Sequence, residues 1–499
     1  MSHEVFMGID VGTSGLKVVV VDHNLHVLAW REQSYGFNAP YKGWAEQPPQ
    51  IWVDAAVSAI RHIDWNLRQR VRGIGFTGQM HGVVVVDENG VPLNNALLWF
   101  DHRADMLARE LEVVGPNGVA VDPTLPLAKI IWLRRNAAIN WARARFIVGV
   151  KDWVRIQFGG SVLTDFSEAS GTQMFDLEKK DWDRSLVALA GLEVNMLPRI
   201  VSSGVADGEI SKQMADLIGI PLGCTLFVGS GDLSAAVGCL DLNEGDVFIN
   251  LGTSGQVGMW GKPLKRQSVS RFADLQGQQE LQLIPLLAIG MVTKWWSTIV
   301  GTKFFDFEPS HAEPPIVFLP YISGERGWNP HPLASGGFYG LRMGHRSEDL
   351  GQAVIEGVAM SIREAYDFLV QGHLRNQRVF LISSQQFGDF LKNDIAAVLG
   401  QPILMPRLVA PSAQGAARVA AHGTRGNDEL VSTHSSDSIE MEGVEPLDLR
   451  IQRYRRLYPI FGYLRKAQWQ VLSRNNGTRN SGNEVGMLLD DERGAAANN

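Results

Sequence analysis

The stretch GIDVGTSGLK, Gly8–Lys17, decides how the rest of the chain is read. An apolar run from Val5 to Ile9 leads into Asp10. Gly12, Thr13, Ser14 and Gly15 then form a small-residue turn, and Leu16–Val21 (LKVVVV) continues as a second strand. The pattern predicts a β-hairpin whose turn offers backbone N–H groups and hydroxyls, with a carboxylate at its mouth and Lys17 just beyond. Glycine lets the backbone approach a ligand closely, and successive N–H groups form an anion-binding concavity, so the turn suits phosphate oxygens. Asp10 beside it suits a phosphate-bound Mg²⁺, a hard cation that takes oxygen ligands. The same residues also make an ordinary hairpin turn with no ligand.

The second half of the chain repeats the pattern. Ile249–Val257 reads INLGTSGQV, so LGTSG at Leu251–Gly255 echoes VGTSG at Val11–Gly15. Two such hairpins predict two related α/β domains gripping one polyphosphate in a cleft between them. The counterpart of Asp10 is Asn250. A second carboxylate facing a polyphosphate would be repelled without its own cation, so the asymmetry points to one metal site, at Asp10.

The remaining composition narrows the class. The 499 residues, 45% hydrophobic and 20% charged, have room for two or three ordinary globular domains. A net charge of −7 argues against nucleic acid as the main partner. Cys224 and Cys239 match no metal-ligand spacing and read as buried thiols in a reducing compartment. No leader is visible, and no run reaches the roughly 18 apolar residues of a membrane span. The expectation is a cytoplasmic protein with no membrane partner.

Along the chain, a strand at Val71–Gln79 ends in TGQMHG (Thr77–Gly82), and a later strand delivers LLWFDHR, Leu97–Arg103. Helical pattern dominates Met106–Asn136 and returns at Trp141–Phe158, which contains KDW (Lys151–Trp153). TDFSEASGT, Thr164–Thr172, reads as a polar insertion. The polar, turn-rich Asp241–Gly245 marks the boundary, giving an N-terminal domain over 1–242 and a C-terminal domain over 243–465. Long helices are expected at Gly290–Ile299, Glu348–Leu369, Gly388–Leu399 and the small-residue stretch Ala413–Ala421. Residues 466–499 are expected to be a disordered tail.

Three groups of residues could carry chemistry. Asp232 follows Gly229-Ser230-Gly231 at a strand end, where ligand clefts of α/β domains lie; it reads either as a helix N-cap or as a general base toward a hydroxyl attacking phosphorus. Gln79, Met80 and His81 close a strand between glycines, and their amide and imidazole could hydrogen-bond sugar hydroxyls or serve the structure alone. Trp99, Asp101 and Arg103 offer an apolar face beside bidentate donors and acceptors, which suits a polyol; the alternative is an exposed ion pair of small worth.

Taken together, GIDVGTSGLK, GWAEQ, GQMHG, LLWFDHR, KDW, SEASGT, GSGD, LGTSG, FLPYISGER and AQGAA resemble the FGGY carbohydrate kinases, and within them the xylulokinases. The resemblance runs from about Val5 to about Arg465. It implies two actin-like, RNase H-type ATPase domains that close over a sugar and MgATP, with a homodimer as the family's suggestion for assembly. The implied reaction is ATP-dependent phosphorylation of a ketose, D-xylulose to D-xylulose 5-phosphate, with sedoheptulose, ribulose or a pentitol as alternative acceptors. A sugar-binding pseudokinase is the alternative outside catalysis. The resemblance makes Asp232 the base and Asp10 the metal-side carboxylate. It assigns the sugar to Gln79, Met80, His81, Trp99, Asp101 and Arg103. It assigns the nucleotide to Gly12, Thr13, Ser14, Lys17, Gly252, Thr253, Ser254, Gly290, Lys294, Ser384 and Gly388.

The chain departs from the family pattern at three places. Leu233 stands where xylulokinases have Asn after the Asp, and Phe100 stands where Asn is usual in WxDxR. Ile382-Ser383-Ser384-Gln385 replaces a Gly-Gly-Gly turn against the adenine, followed by QFGDFLKND in place of a Trp-containing segment.

Overall fold

A computed structural model describes residues 4–111, 121–137, 141–252, 254–262, 269–287, 289–300, 315–325, 327–331, 333–370, 377–383, 385–425 and 439–477. Thr253 and Ser384 lie outside these. Gly388 falls in a described helix, but in a part of it whose side chains are not described.

The valine-rich opening forms the expected hairpin. Strand β1 (Val5–Val11) pairs antiparallel with β2 (Gly15–Val21), placing Lys17 directly opposite Asp10. A Cβ on Gly12 would lie 2.7 Å from the Gly15 carbonyl, so only glycine fits this turn. The sheet grows by β3 (Val27–Ser34) beside β2 and by β4 (Val71–Gly78), parallel to β1. Next come β5 (Ala206–Glu209) and β6 (Thr225–Gly231), giving the order β5-β6-β4-β1-β2-β3.

The second sheet is built on the same plan. Strand β7 (Val247–Leu251) pairs antiparallel with β8 (Gly255–Gly261), followed by β9 (Ser270–Ala273) and β10 (Glu280–Leu286). Strand β11 (Val379–Ser383) runs parallel to β7, β12 (Ile403–Pro406) parallel to β11, and β13 (Met441–Val444) antiparallel at the edge. The order β9-β10-β8-β7-β11-β12-β13 matches the first sheet strand for strand around the hairpin, apart from the extra edge strand β9. The repeated GTSG turn thus reports a repeated topology, not only a repeated loop.

Helices pack against each sheet. α1 (Gln50–Arg61) buries Trp52, Ala56 and Ile60 against the first core, where α3 (Val150–Phe158) adds Trp153 and Phe158. Between them in sequence, α2 (Pro126–Asn136) belongs to a smaller apolar cluster with Val83, Leu97 and Ile147. The second core is assembled from β7, β8 and β11 with α7 (Ser347–Val370), which follows α6 (Gly290–Val300), and with α8 (Gln385–Leu399). Cys224 and Cys239 are buried, and burial pushes both thiols up, to about 12 and about 11.

Three local expectations are revised. Trp141–Phe158 is not one helix: Phe146–Val148 is a strand paired antiparallel with Val84–Val86, and α3 begins at Val150. The Phe-Ile-Val run favours a pleated, half-buried surface. Thr164–Thr172 is not a solvated insertion: it contains α4 (Phe166–Ser170), and Asp165 and Ser167 are fully buried. The last helix, α10 (Asp448–Gly477), passes residue 466 and continues to Gly477, with Trp469 buried 5.0 Å from the Tyr321 ring centroid.

The second half of the chain also reaches back onto the first sheet. Helix α9 (Pro411–Thr424) lies across β1 and β4 and against α5 (Asp232–Val237). A Cβ on Gly8 would stand 1.9 Å from the Ala413 carbonyl, one on Gly75 2.0 Å from that of Ala416, and one on Gly415 1.9 Å from that of Ala235. The small residues of AQGAARVAA permit this backbone-to-backbone approach. A cut at 242/243 separates α9 from the sheet it covers.

Candidate active site

Two carboxylates stand at one end of the first sheet, on the two strands that flank β4. Asp10 ends β1, and Asp232 opens α5 directly after β6. Burial raises the Asp10 carboxyl to about 6 against the attraction of Lys17, with Glu32 adding to the rise. Burial raises Asp232 further, to about 7, and the charge of Asp10 adds to it. The strand register sets them near one another: Asp10 pairs with Thr77 of β4, and Ser230, two residues before Asp232, pairs with the same Thr77 from the other side. Asp232 is not the N-cap: Gly231 holds that position, and the Asp232 Oδ1 accepts the N–H of its neighbour Leu233 at 2.7 Å. The turn before it needs glycine, since Gly229 has φ +74° and a Cβ there would meet the Phe76 carbonyl at 1.7 Å.

Of the residues expected at the sugar, Met80 and His81 lie close to this point. The Met80 thioether lies against Gly231, where a Cβ would come within 2.5 Å of its sulfur, and also against Gly171. His81 adopts a left-handed backbone, φ 64°, a strained choice for a non-glycine residue. Its Nδ1 lies 2.7 Å from the Gly171 carbonyl. A carbonyl only accepts, so Nδ1 carries the proton and Nε2 presents a lone pair. Burial lowers His81 to about 4, overriding the Gly171 bond, so the ring stays neutral near pH 7.

Gln79 has a different position from a sugar ligand's. It is 2% exposed; its Oε1 accepts from Thr13 Oγ1 at 3.1 Å, and its Nε2 donates to Gln47 Oε1 at 3.2 Å and the Gly12 carbonyl at 3.3 Å. Gln47 completes the brace by donating to the Thr13 and Gly36 carbonyls, both at 2.9 Å, while accepting from Trp52. The Tyr35 hydroxyl donates to the Gly12 carbonyl at 2.6 Å. The hairpin turn is therefore held from below by three side chains.

Trp99, Asp101 and Arg103 divide in the same way. Trp99 is partly exposed and donates from Nε1 to Thr13 Oγ1 at 3.0 Å, so the Thr13 hydroxyl is engaged on both sides. Asp101 and Arg103 are not an exposed pair. Asp101 is fully buried, receiving Arg103 Nε and Nη2 at 2.8 Å each and the Ala45 N–H at 2.6 Å. Arg103 also reaches Glu46 at 2.7 Å and stacks 3.8 Å from the Trp44 ring centroid. Of the two departures nearby, Phe100 packs against Phe37 and Trp99. The Leu233 side chain is buried with Val237, Leu240, Phe248 and Ile382.

On the nucleotide side, the Gly252 N–H donates to the Ser254 carbonyl at 2.8 Å, and the Gly252 carbonyl accepts from Gly290 N–H at 3.1 Å. The second turn is thereby fixed to the start of α6, with Lys294 exposed one turn further on. Ser14 is exposed at the tip of the first turn. Ser383 ends β11 beside Leu251, its hydroxyl buried without a partner.

Sequence reasoning missed Lys129. Its ammonium, fully buried on α2, donates to the Leu98 carbonyl at 2.6 Å and the His81 carbonyl at 3.0 Å, tying the GQMHG and LLWFDHR segments together. Burial lowers it to about 7 against the pull of Asp101 and Asp122. The available signal was a lysine inside the apolar run Leu127–Leu133.

Comparison with known proteins accords with this geometry. Residues 5–239 match the N-terminal domain of the FGGY family of carbohydrate kinases, and residues 301–424 its C-terminal domain. The xylulose kinase of Lactococcus lactis subsp. lactis is 27% identical over 487 residues, 91% of this chain and 95% of its own. The gluconokinase of Bacillus subtilis is 26% identical over 491 residues, 91% of this chain and 94% of its own. The crystal structure of a xyloylose kinase from Brucella ovis, 26% identical, matches with a TM-score of 0.85 over 94% of this chain and all of that one. The paired sheets are thus the two halves of an actin-like ATPase fold, and this chain belongs to the FGGY family of carbohydrate kinases.

Proposed function

We propose that this kinase transfers the γ-phosphoryl group of ATP to the terminal hydroxyl of a ketose, D-xylulose first among candidates, with Asp232 as general base. The observation that carries the reading is the convergence of Asp232, Met80 and the neutral His81 beside Asp10. A buried base held up near neutrality takes a proton efficiently, because catalytic strength and correct ionisation are then both available at cellular pH. Asp232 would accept the hydroxyl proton as the oxygen attacks phosphorus, and the His81 Nε2 lone pair would fix the acceptor by receiving a hydrogen bond from a neighbouring hydroxyl.

The two GTSG turns would hold the phosphates. Because the Thr13 hydroxyl is engaged by Gln79 and Trp99, the first turn would act through its backbone N–H groups and Ser14. Asp10 fits a Mg²⁺ carried in with ATP: its Oδ1 is buried with no hydrogen-bond partner, as an oxygen kept for a hard cation would be. Such an ion, when bound, neutralises charge on the phosphates.

A neutral ketose suits the acceptor side better than an aldonate. The cations placed around it are committed: Arg103 to Asp101 and Glu46, Lys129 to two carbonyls. The test is an ADP-release screen over pentuloses, heptuloses, pentitols and gluconate. Turnover on D-xylulose above the rest supports the assignment. A heptulose or gluconate turned over well above D-xylulose replaces it.

A further inference from the structure

The short helix α4 lies directly under the peptide that launches Asp232. Its Ser167 is fully buried, and the Ser167 Oγ accepts the Gly231 N–H at 2.9 Å. The hydroxyl itself donates to Asp165 Oδ2, which also accepts the Ser167 N–H at 2.8 Å. Asp165 is paired through its other oxygen with Lys151 at 3.0 Å, both fully buried. An ionised carboxylate can only accept, so the Ser167 proton must point to Asp165 and a lone pair must face Gly231. The direction of every bond in this chain is thereby fixed.

The arrangement below is strongly charged. Lys151 bonds Asp152 at 2.7 Å, and Arg155 bonds Asp152 at 2.8 Å and Asp207 at 2.7 Å. Burial opposes the Lys151 charge, yet Asp152, Asp165 and Glu168 together raise it above the ordinary lysine range. Burial likewise pushes Glu168 well up, with Lys151 opposing and Asp152, Asp165 and Asp232 adding to the rise. Such a network is costly to bury and rigid once satisfied. None of its members lies among the residues assigned to sugar or phosphate.

We propose that Ser167 is a positioning residue for the base: its hydroxyl, oriented by the Lys151–Asp165 pair, anchors the Gly231 N–H and so fixes where the Asp232 carboxylate stands. The same turn presents the Gly171 carbonyl to His81 and the Ser170 hydroxyl to the Ala273 N–H of the second sheet at 3.1 Å. Base, sugar-side histidine and second domain therefore share one rigid support. The inference rests on Asp232 being the base.

The test uses the full-length enzyme with ATP and the best ketose of the screen, comparing Ser167→Ala, Ser167→Thr and Ser167→Cys with Asp232→Asn. Loss of the anchor lets the carboxylate drift from its productive position, so Ser167→Ala should lower kcat about 10- to 100-fold. The sugar Kd by calorimetry should stay within about twofold, because the sugar-side groups are untouched. Ser167→Thr keeps the hydroxyl and should retain kcat within about threefold. Ser167→Cys, similar in size but a weak acceptor, should follow Ala, and it carries the test if Ala does not fold. Full kcat in Ala or Cys with an inactive Asp232→Asn overturns the role of Ser167 and leaves the base assignment standing. Equal losses in Ala and Thr with weakened sugar binding overturn it as general structural damage. An active Asp232→Asn removes the base assignment and this inference with it.

Discussion

Replacing Arg103 with Met decides whether the WxDxR arginine serves the sugar or the fold. Met keeps much of the apolar stem against Trp44 but removes the guanidinium. That group makes two bonds to Asp101 and one to Glu46, and its side chain is 3% exposed. Its removal strips the fully buried Asp101 of its bonded counter-charge. Breaking a buried pair from one side costs about 3–5 kcal/mol. At about 2–4 °C per kcal/mol for a domain of this size, the first thermal transition should fall by roughly 6–20 °C. Tryptophan fluorescence against urea and temperature would follow it, with a sugar titration on the same variant. Arg103→Met combined with Asp101→Asn should lose less than the sum of the two, since the buried Asp101 charge is removed together with its partner. A variant that melts within a degree or two of the parent but binds sugar ten times more weakly would refute the argument and make Arg103 a ligand.

Asp232→Asn should lower kcat by about 10²–10⁴ while the sugar Kd changes little, measured by coupled assay and calorimetry. Because the Asp232 carboxyl is raised to about 7, kcat/KM should fall as pH drops through that value and the base becomes protonated. The sugar Kd should stay flat over the same range, because His81 protonates only near 4; parallel loss of both would contradict the assignment. Gly415→Ala puts a Cβ 1.9 Å from the Ala235 carbonyl and must push α9 off α5. It should shift the low-angle scattering profile and lower activity together. An unchanged profile with full activity would mean that the contact is slack.

What could be read in the sequence follows from what each signal depends on. The hairpins were legible because both valine periodicity and turn glycines are local, and their repetition revealed the two sheets. The interdomain role of AQGAARVAA was not, since small residues say that something packs closely without saying what. Gln79 and Arg103 were placed at the sugar because amides and guanidinia suit polyols equally well on paper. Only the three-dimensional contacts show Gln79 spent on Thr13, Gly12 and Gln47, and Arg103 spent on two carboxylates. Thr164–Thr172 misled for a related reason: charge in sequence implies solvent, yet Lys151 and Asp165 neutralise one another in the core.

The division of labour among these residues has a physical logic. A phosphoryl-transfer site must hold carboxylates close to a polyphosphate, and each carboxylate raises the cost of the next. The chain answers by layering. In the proposed reaction the groups that would face the ligands are few: Asp10, Asp232, the turn backbones, and a histidine kept neutral by burial. The ion pairs lie one layer down, where Lys151 and Arg155 bind Asp152, Asp165 and Asp207, and Arg103 binds Asp101 and Glu46. Lys129 spans the layers, spending its ammonium on the carbonyls of Leu98 and His81. Placing the ion pairs beneath the site keeps their fields from competing with the substrate for the same water-poor space. It would also stiffen the strand ends that bear Asp10, His81 and Asp232, as a reaction governed by sub-ångström placement requires.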